Sequence, residues 1–164
     1  MRDGLRKRLR YLWTWELANA LLVMPGLYLV LGQRFRLGGL SLTMLLLVCA
    51  LLVVGAAFWF LKARAIEGSR LLYLPATRRF FRATKWVFGA ALAIALAAFL
   101  VQALVQQGAG VAELVVGGGF FLLAALEYVN YYYVQLSYDN GADLAYLWRH
   151  RRLKRATMVR ELDI

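Results

Sequence analysis

Four long apolar stretches, separated by short and mostly basic segments, constrain this chain more than any other feature. A helix needs roughly 20 apolar residues to cross about 30 Å of hydrocarbon. Such stretches occupy 11–32, 40–61, 86–106 and 112–136. Composition agrees: 62% of the 164 residues are hydrophobic, whereas a soluble domain is usually about 45–50% apolar. Charge is nonetheless plentiful, with 20 Lys and Arg against nine acids and a formal net charge of +11. High hydropathy and high charge coexist only if the charge is segregated, which predicts an integral membrane protein with basic loops. Disorder, a disulfide scaffold and an ordinary soluble enzyme are excluded on the same grounds.

The loop charges predict an orientation. The N-terminal tail holds five Lys/Arg, the 62–85 segment seven and the C-terminal tail six. The two remaining short loops hold two (Arg34 and Arg36) and none. By the positive-inside rule both termini and the middle loop are cytoplasmic, and an even number of spans fits two basic tails. The N-terminus resembles a signal peptide, with Ala18-Asn19-Ala20 like a cleavage site. That tripeptide precedes the apolar core rather than following it, so the segment reads as an uncleaved anchor.

The predicted fold is therefore an all-α, four-helix membrane bundle forming one domain over 1–164, in a cell (inner) membrane. The cytoplasmic loop is 62–85 and the cytoplasmic amphipathic tail 137–164. Pro25-Gly26 should kink the first span. Gly89, Ala93 and Ala97 repeat every fourth residue in the third span, which suits tight packing inside the bundle or a homo-oligomer seam. Gly117-Gly118-Gly119 admits the same two readings. With no turn-punctuated alternation, a β-barrel is excluded.

On the cytoplasmic side, Arg78, Arg79, Arg82 and Lys85 alternate with aromatic and aliphatic residues, the composition of a segment lying in the headgroup layer. In the tail, Asp139-Asn140-Gly141 breaks the fourth helix. Asp143 can then cap an amphipathic helix bearing Leu144, Leu147, Trp148 and Leu153. Each cation near an anionic leaflet contributes about 1 kcal/mol. These cations serve either topology alone or contact with anionic lipid. Nucleic acid is not expected as a partner, because the cations are spread among apolar anchors.

Ionisable groups inside spans are costly and mark functional candidates. Two stand out, Glu16 and Glu127, each followed three residues later by an asparagine, Asn19 and Asn130. Residues three apart share a helix face, and in the fourth span that face continues through Tyr131, Gln135 and Tyr138. Antiparallel spans put all four polar residues in the cytoplasmic half, within about 6 Å of one another in depth at 1.5 Å per residue. If the first and fourth helices are neighbours, they form one cluster. It serves as helix–helix glue, a headgroup or amphiphile site, a proton or cation path using Glu127, or a catalytic site.

Enzymatic motifs are sparse. The one histidine, His150, lies in the basic tail, so no embedded Ser/His or Cys/His pair exists. Cys49 is alone, which excludes an intrachain disulfide and a Cys/His metal cluster. Asp139 and Asp143 are four apart and are the candidates for holding Mg²⁺ against a lipid phosphate, although helix capping accounts for each. Gly108-x-Gly110 is a hairpin turn rather than a phosphate loop, and no paired intramembrane histidines hold a haem. No cofactor is expected. The sequence points to a non-enzymatic accessory protein that binds anionic lipid or a partner membrane protein at the cytoplasmic leaflet.

Overall fold

The computed structural model describes residues 2–105, 110–136, 148–149 and 151–164. Among them the chain is all-helical, with one isolated antiparallel bridge between Val134 and Arg155. Four helical rods are long and apolar enough to cross a membrane. The first is α1 (Arg2–Ala18), a π-helical turn (Asn19–Val23) and α2 (Met24–Arg34) in series. The others are α3 (Gly39–Ile66), α4 (Pro75–Val105) and α5 (Val111–Tyr132). A short helix, α6 (Thr157–Leu162), follows in the tail.

The expected disturbance at Pro25 takes the form of the π turn just before it. Proline has no N–H to donate to the preceding turn. The chain widens there, and the Met24 N–H reaches back to the Asn19 carbonyl five residues earlier. Helix continues through Pro25 and Gly26.

The third rod departs from the sequence reading. It begins at Pro75, not near Trp86, because proline suits a first helical position and nothing between Ala76 and Trp86 breaks a helix. Arg78, Arg79, Arg82 and Lys85 thus ride on the first turns of α4, and the connection from α3 shrinks to 67–74. Gly68, at φ +97°, closes the end of α3, with its N–H on the Ala65 carbonyl at 3.1 Å. The α5 helix stops at Tyr132, four residues before the expected end of the span. Leu153, expected on an amphipathic helix, lies in non-helical chain. Tyr138, Asp139 and Asp143 lie outside the described residues.

The α3 helix is the hub. Half of its most apolar stretch is buried, against 6% for both the first rod and α4. The first rod packs on one side of α3 and α5 on another, while α4 leans mainly on α5. Met44, Val48, Leu51 and Phe58 form the buried stripe of α3. Phe58 meets the ring of Phe81 edge-on at 5.9 Å, which joins α3 to the start of α4. Large apolar side chains such as Trp86, Val87, Ile94 and Leu104 remain exposed along α4. Apolar surface on that scale fits a multi-pass membrane protein and not a soluble monomer.

The small residues divide. A Cβ on Gly89 would meet the Tyr128 hydroxyl at 2.7 Å and one on Gly118 the Phe99 ring at 3.3 Å, so both glycines pack inside the bundle. Ala93 and Ala97 are exposed and Gly119 faces open space.

At the end opposite the basic segments, Glu113 of α5 is only 4% exposed. Its carboxyl accepts the Gly38 N–H at 2.8 Å, the Ser41 N–H at 3.0 Å and the Ser41 hydroxyl at 2.7 Å. The first N–H groups of a helix lack partners within it. Here a neighbouring helix supplies an anion to them, in line with the macrodipole.

At the basic end the three other rods outrun α5, and the tail fills the gap. The Gln135 N–H donates to the Lys154 carbonyl at 2.8 Å and the Ala156 N–H to the Tyr133 carbonyl at 3.0 Å. Met158 and Leu162 are buried, and Lys62 Nζ pairs with Glu161 Oε1 at 2.8 Å. Leu162→Ala is expected to loosen this tail at a local cost of about 2–5 kcal/mol. Limited proteolysis checks it, with cleavage after residue 150 accelerating while the rods stay intact.

Candidate functional site

The site is built where α1, α3, α5 and α6 converge at the basic end. The first contributor is a glycine. A Cβ at Gly55 of α3 would collide with the Glu16 carboxyl and the Tyr131 ring. Glu16 on α1 and Tyr131 on α5 therefore meet across α3, over the one place where its surface is bare. Helices α1 and α5 need not touch for their polar groups to do so.

Glu16 is anchored on one side only. The Trp59 indole N–H, one turn beyond Gly55, donates to Oε1 at 2.9 Å. Oε2 is buried with no hydrogen-bond partner, and so is the Tyr131 hydroxyl, on a side chain only 3% exposed. Glu127, one turn before Tyr131, faces the same phenol. Among the described residues, no Lys or Arg forms an ion pair with either carboxyl. Two carboxyls and a phenol with unused hydrogen-bonding capacity are an expensive arrangement in apolar surroundings.

Glu16 and Tyr131 border a cavity of about 250 Å³, while Glu16 Oε2 and the Tyr131 hydroxyl themselves are closed off against Gly55. Glu16, Trp59, Asn130 and Tyr131 contribute polar residues to its lining, and Leu9, Leu12 and Phe58 part of its apolar wall. Arg8 of α1, Lys62 of α3 and Arg160 of α6 complete it on the basic side, together with Thr157 and Met158. Lys62 is shared with Glu161, and its ammonium lies 5.8 Å from the centre of the Trp59 ring. The Arg160 guanidinium meets the Thr157 hydroxyl at 3.5 Å. The lining thus joins three basic side chains to the polar residues Glu16, Asn130 and Tyr131.

Of the residues singled out from sequence, Glu16, Asn130, Tyr131 and Gln135 come together around this cavity. Glu127 does not line it and takes the Asn130 amide at 3.4 Å. Asn130 also shapes the backbone, its Oδ1 accepting the Leu136 N–H at 2.9 Å where the chain leaves α5. Gln135 arrives by that turn and not by helical periodicity, since α5 has already ended. Asn19 stands apart, bonded to the Trp15 carbonyl of its own helix at 3.0 Å. Arg78, Arg79 and Arg82 are exposed on α4, and Arg82 reaches the Asp163 carbonyl at 3.4 Å. Lys85 sits 5.3 Å from the centre of the Tyr133 ring.

No family model, curated protein or solved structure matches the chain. Functional inference therefore rests on the geometry of this site. Sequence reasoning missed Gly55, Trp59 and Lys62. All three lie on one face of α3 at four- and three-residue spacing, Lys62 just past the second apolar stretch, so helical periodicity was the signal available. It also missed Arg8 and Arg160, which looked like ordinary members of basic tails. A second recess of about 640 Å³ between α3 and α4 is lined by apolar residues with Thr43 and Gln102, and carries no charged side chain. Among the described residues no group of three His, Cys, Asp or Glu stands close enough to share a metal ion.

Proposed function

We propose that this chain is a non-enzymatic accessory membrane protein that holds a phosphate-bearing lipid headgroup at the cytoplasmic leaflet. In this reading it lies in a cell (inner) membrane with both termini and the 67–74 connection in the cytoplasm. One observation carries the reading: a cavity of about 250 Å³ at the basic end is lined by three cations, Arg8, Lys62 and Arg160, together with polar and apolar side chains. Ligand sites are concave, mostly apolar and fitted with a few convergent polar groups. The exposed cations of α4 extend the same side as a peripheral surface for anionic lipid.

Native mass spectrometry from a gentle detergent tests the proposal. The wild type is expected to retain one phospholipid, and Lys62→Gln with Arg160→Gln to lose most of it. Replacing Arg78, Arg79 and Arg82 by Gln should weaken partition onto anionic vesicles several-fold while leaving the retained lipid in place. Equal spectra for wild type and the cavity variant, without bound lipid, would reject the site. Orientation has its own test in a Cys49→Ala background. Cysteines at Asp3 and Ala76 are expected to react with an impermeant thiol reagent from one side of the membrane, and one at Gln33 from the other.

A second reading has one specific observation in its favour. The Tyr131 phenol faces both Glu16 and Glu127, so carboxyl, phenol and carboxyl stand in series. Such a chain suits proton or cation passage. It requires that Glu127→Gln abolish flux in liposomes without loss of folding.

A further inference from the structure

We propose that the tail is a strap across the cavity, and that a phosphate group bound there clasps the tail to the bundle. This rests on the reading of the cavity as a phosphate site and names its regulation: docked tail and bound ligand hold each other in place. The cavity is assembled from pieces far apart in the chain. Arg8 stands on α1 and Lys62 on α3, whereas Thr157, Met158 and Arg160 stand on α6. The wall that α6 supplies exists only while the tail is docked. Among the described residues that docking rests on few contacts. Two backbone hydrogen bonds flank Val134, at 2.8 and 3.0 Å, and Lys62 pairs with Glu161 at 2.8 Å. Ala156, Met158 and Leu162 are buried, and Arg82 reaches the Asp163 carbonyl at 3.4 Å.

Charge sets the sign of the coupling. Docking carries Arg160 of the tail to a cavity that Arg8 and Lys62 of the rods already line, cation toward cation. The Lys62–Glu161 pair offsets part of that repulsion. An anion in the cavity turns the rest into attraction between tail and rods. The guanidinium fork of arginine matches phosphate geometry. Lys62 has three N–H donors, so it serves Glu161 and a phosphate oxygen together. Coupling of this kind is reciprocal: whatever factor the ligand adds to docking, docking adds to ligand affinity. Leu162 reports it from outside the site, since its side chain is fully buried under the tail yet does not line the cavity.

The test uses the full-length protein, delipidated in detergent, with phosphatidylglycerol as the probe and hydrogen–deuterium exchange as the readout. Adding the probe is expected to slow exchange of the Ala156 and Arg160 amides about tenfold, within the usual range for coupled sites. Amides in the middle of α3 should keep their rates. In native mass spectrometry Leu162→Ala should lower retention of the probe several-fold with the rods intact, and Glu161→Gln should lower it too. Inorganic phosphate separates the sources. Equal protection of the tail by phosphate at comparable concentration assigns the clasp to the free anion, and no protection by it assigns the clasp to the lipid. Faster tail exchange with the probe would mean that phosphate competes with Glu161 for Lys62, and would overturn the strap. Unchanged exchange with full retention by Leu162→Ala, while Lys62→Gln with Arg160→Gln still loses the lipid, would overturn the strap and leave the cavity a phosphate site. No retention of the probe by the wild type would overturn both proposals.

Discussion

Glu113→Ala is expected to destabilise the fold by about 3–5 kcal/mol, among the largest effects of any single truncation. The substitution strips the acceptor from three donors at once: the Gly38 N–H, the Ser41 N–H and the Ser41 hydroxyl. Each buried donor left unmatched costs roughly 1–3 kcal/mol, and the three losses overlap because they share one turn. Ser41 has 0% exposure, so water does not replace the carboxyl without opening the contact between α3 and α5. Glu113→Gln retains one carbonyl acceptor and should cost about half as much, having lost the charge that strengthens these bonds. Ser41→Ala removes one donor along with its partner bond and should cost about 1 kcal/mol. Equilibrium unfolding in mixed micelles measures all three. Equal stability of Glu113→Ala and wild type would mean that α3 is held by its apolar stripe alone.

The same residue shows how legibility varied along the chain. The four long apolar helices were readable because hydropathy over about 20 residues is a coarse signal that needs no partner. Their ends were less so. The start of α4 at Pro75 followed a local rule, proline at the first helical position, but charge between Arg78 and Lys85 suggested a surface segment instead. The end of α5 was set from afar, by the tail returning beside Val134, which no local pattern announces. Glu113 did not stand out in the sequence at all. Its role depends on the N-terminus of a helix 72 residues away in sequence.

The candidate site was half legible for the same reason. A carboxyl in an apolar run is conspicuous, so Glu16 and Glu127 stood out, and Tyr131 followed by helical spacing. Their meeting depends on packing order. The sequence argument needed α1 and α5 to be neighbours, whereas α3 stands between them and a missing side chain at Gly55 lets them meet. Asn19 and Asn130 looked like twins by spacing, yet one bonds its own helix and the other a turn. Equivalent motifs part company once the backbone around them differs, here a π turn after Asn19 and a helix end after Asn130.

Gly55→Ala is the substitution that should tell packing from function most sharply. A single methyl there collides with the Glu16 carboxyl and the Tyr131 ring, both held by large helices. Overpacking of this kind typically costs about 1–3 kcal/mol. The helix itself gains, since alanine is favoured over glycine by about 1 kcal/mol within a helix. The collision should prevail, because the atoms to be displaced include an aromatic ring that is almost fully buried. A net loss of about 1–2 kcal/mol is expected, with loss of the retained lipid as Glu16 is displaced from the cavity lining. Tyr131→Leu added to Gly55→Ala removes the ring and should restore most of the stability, because contacting residues couple. It should not restore lipid retention, because the methyl still displaces Glu16 and the hydroxyl is now gone as well. Recovery of both in the double variant would show that the phenol only fills space. Recovery of stability alone, together with loss of retention in Tyr131→Leu by itself, would place Tyr131 among the groups that hold the ligand.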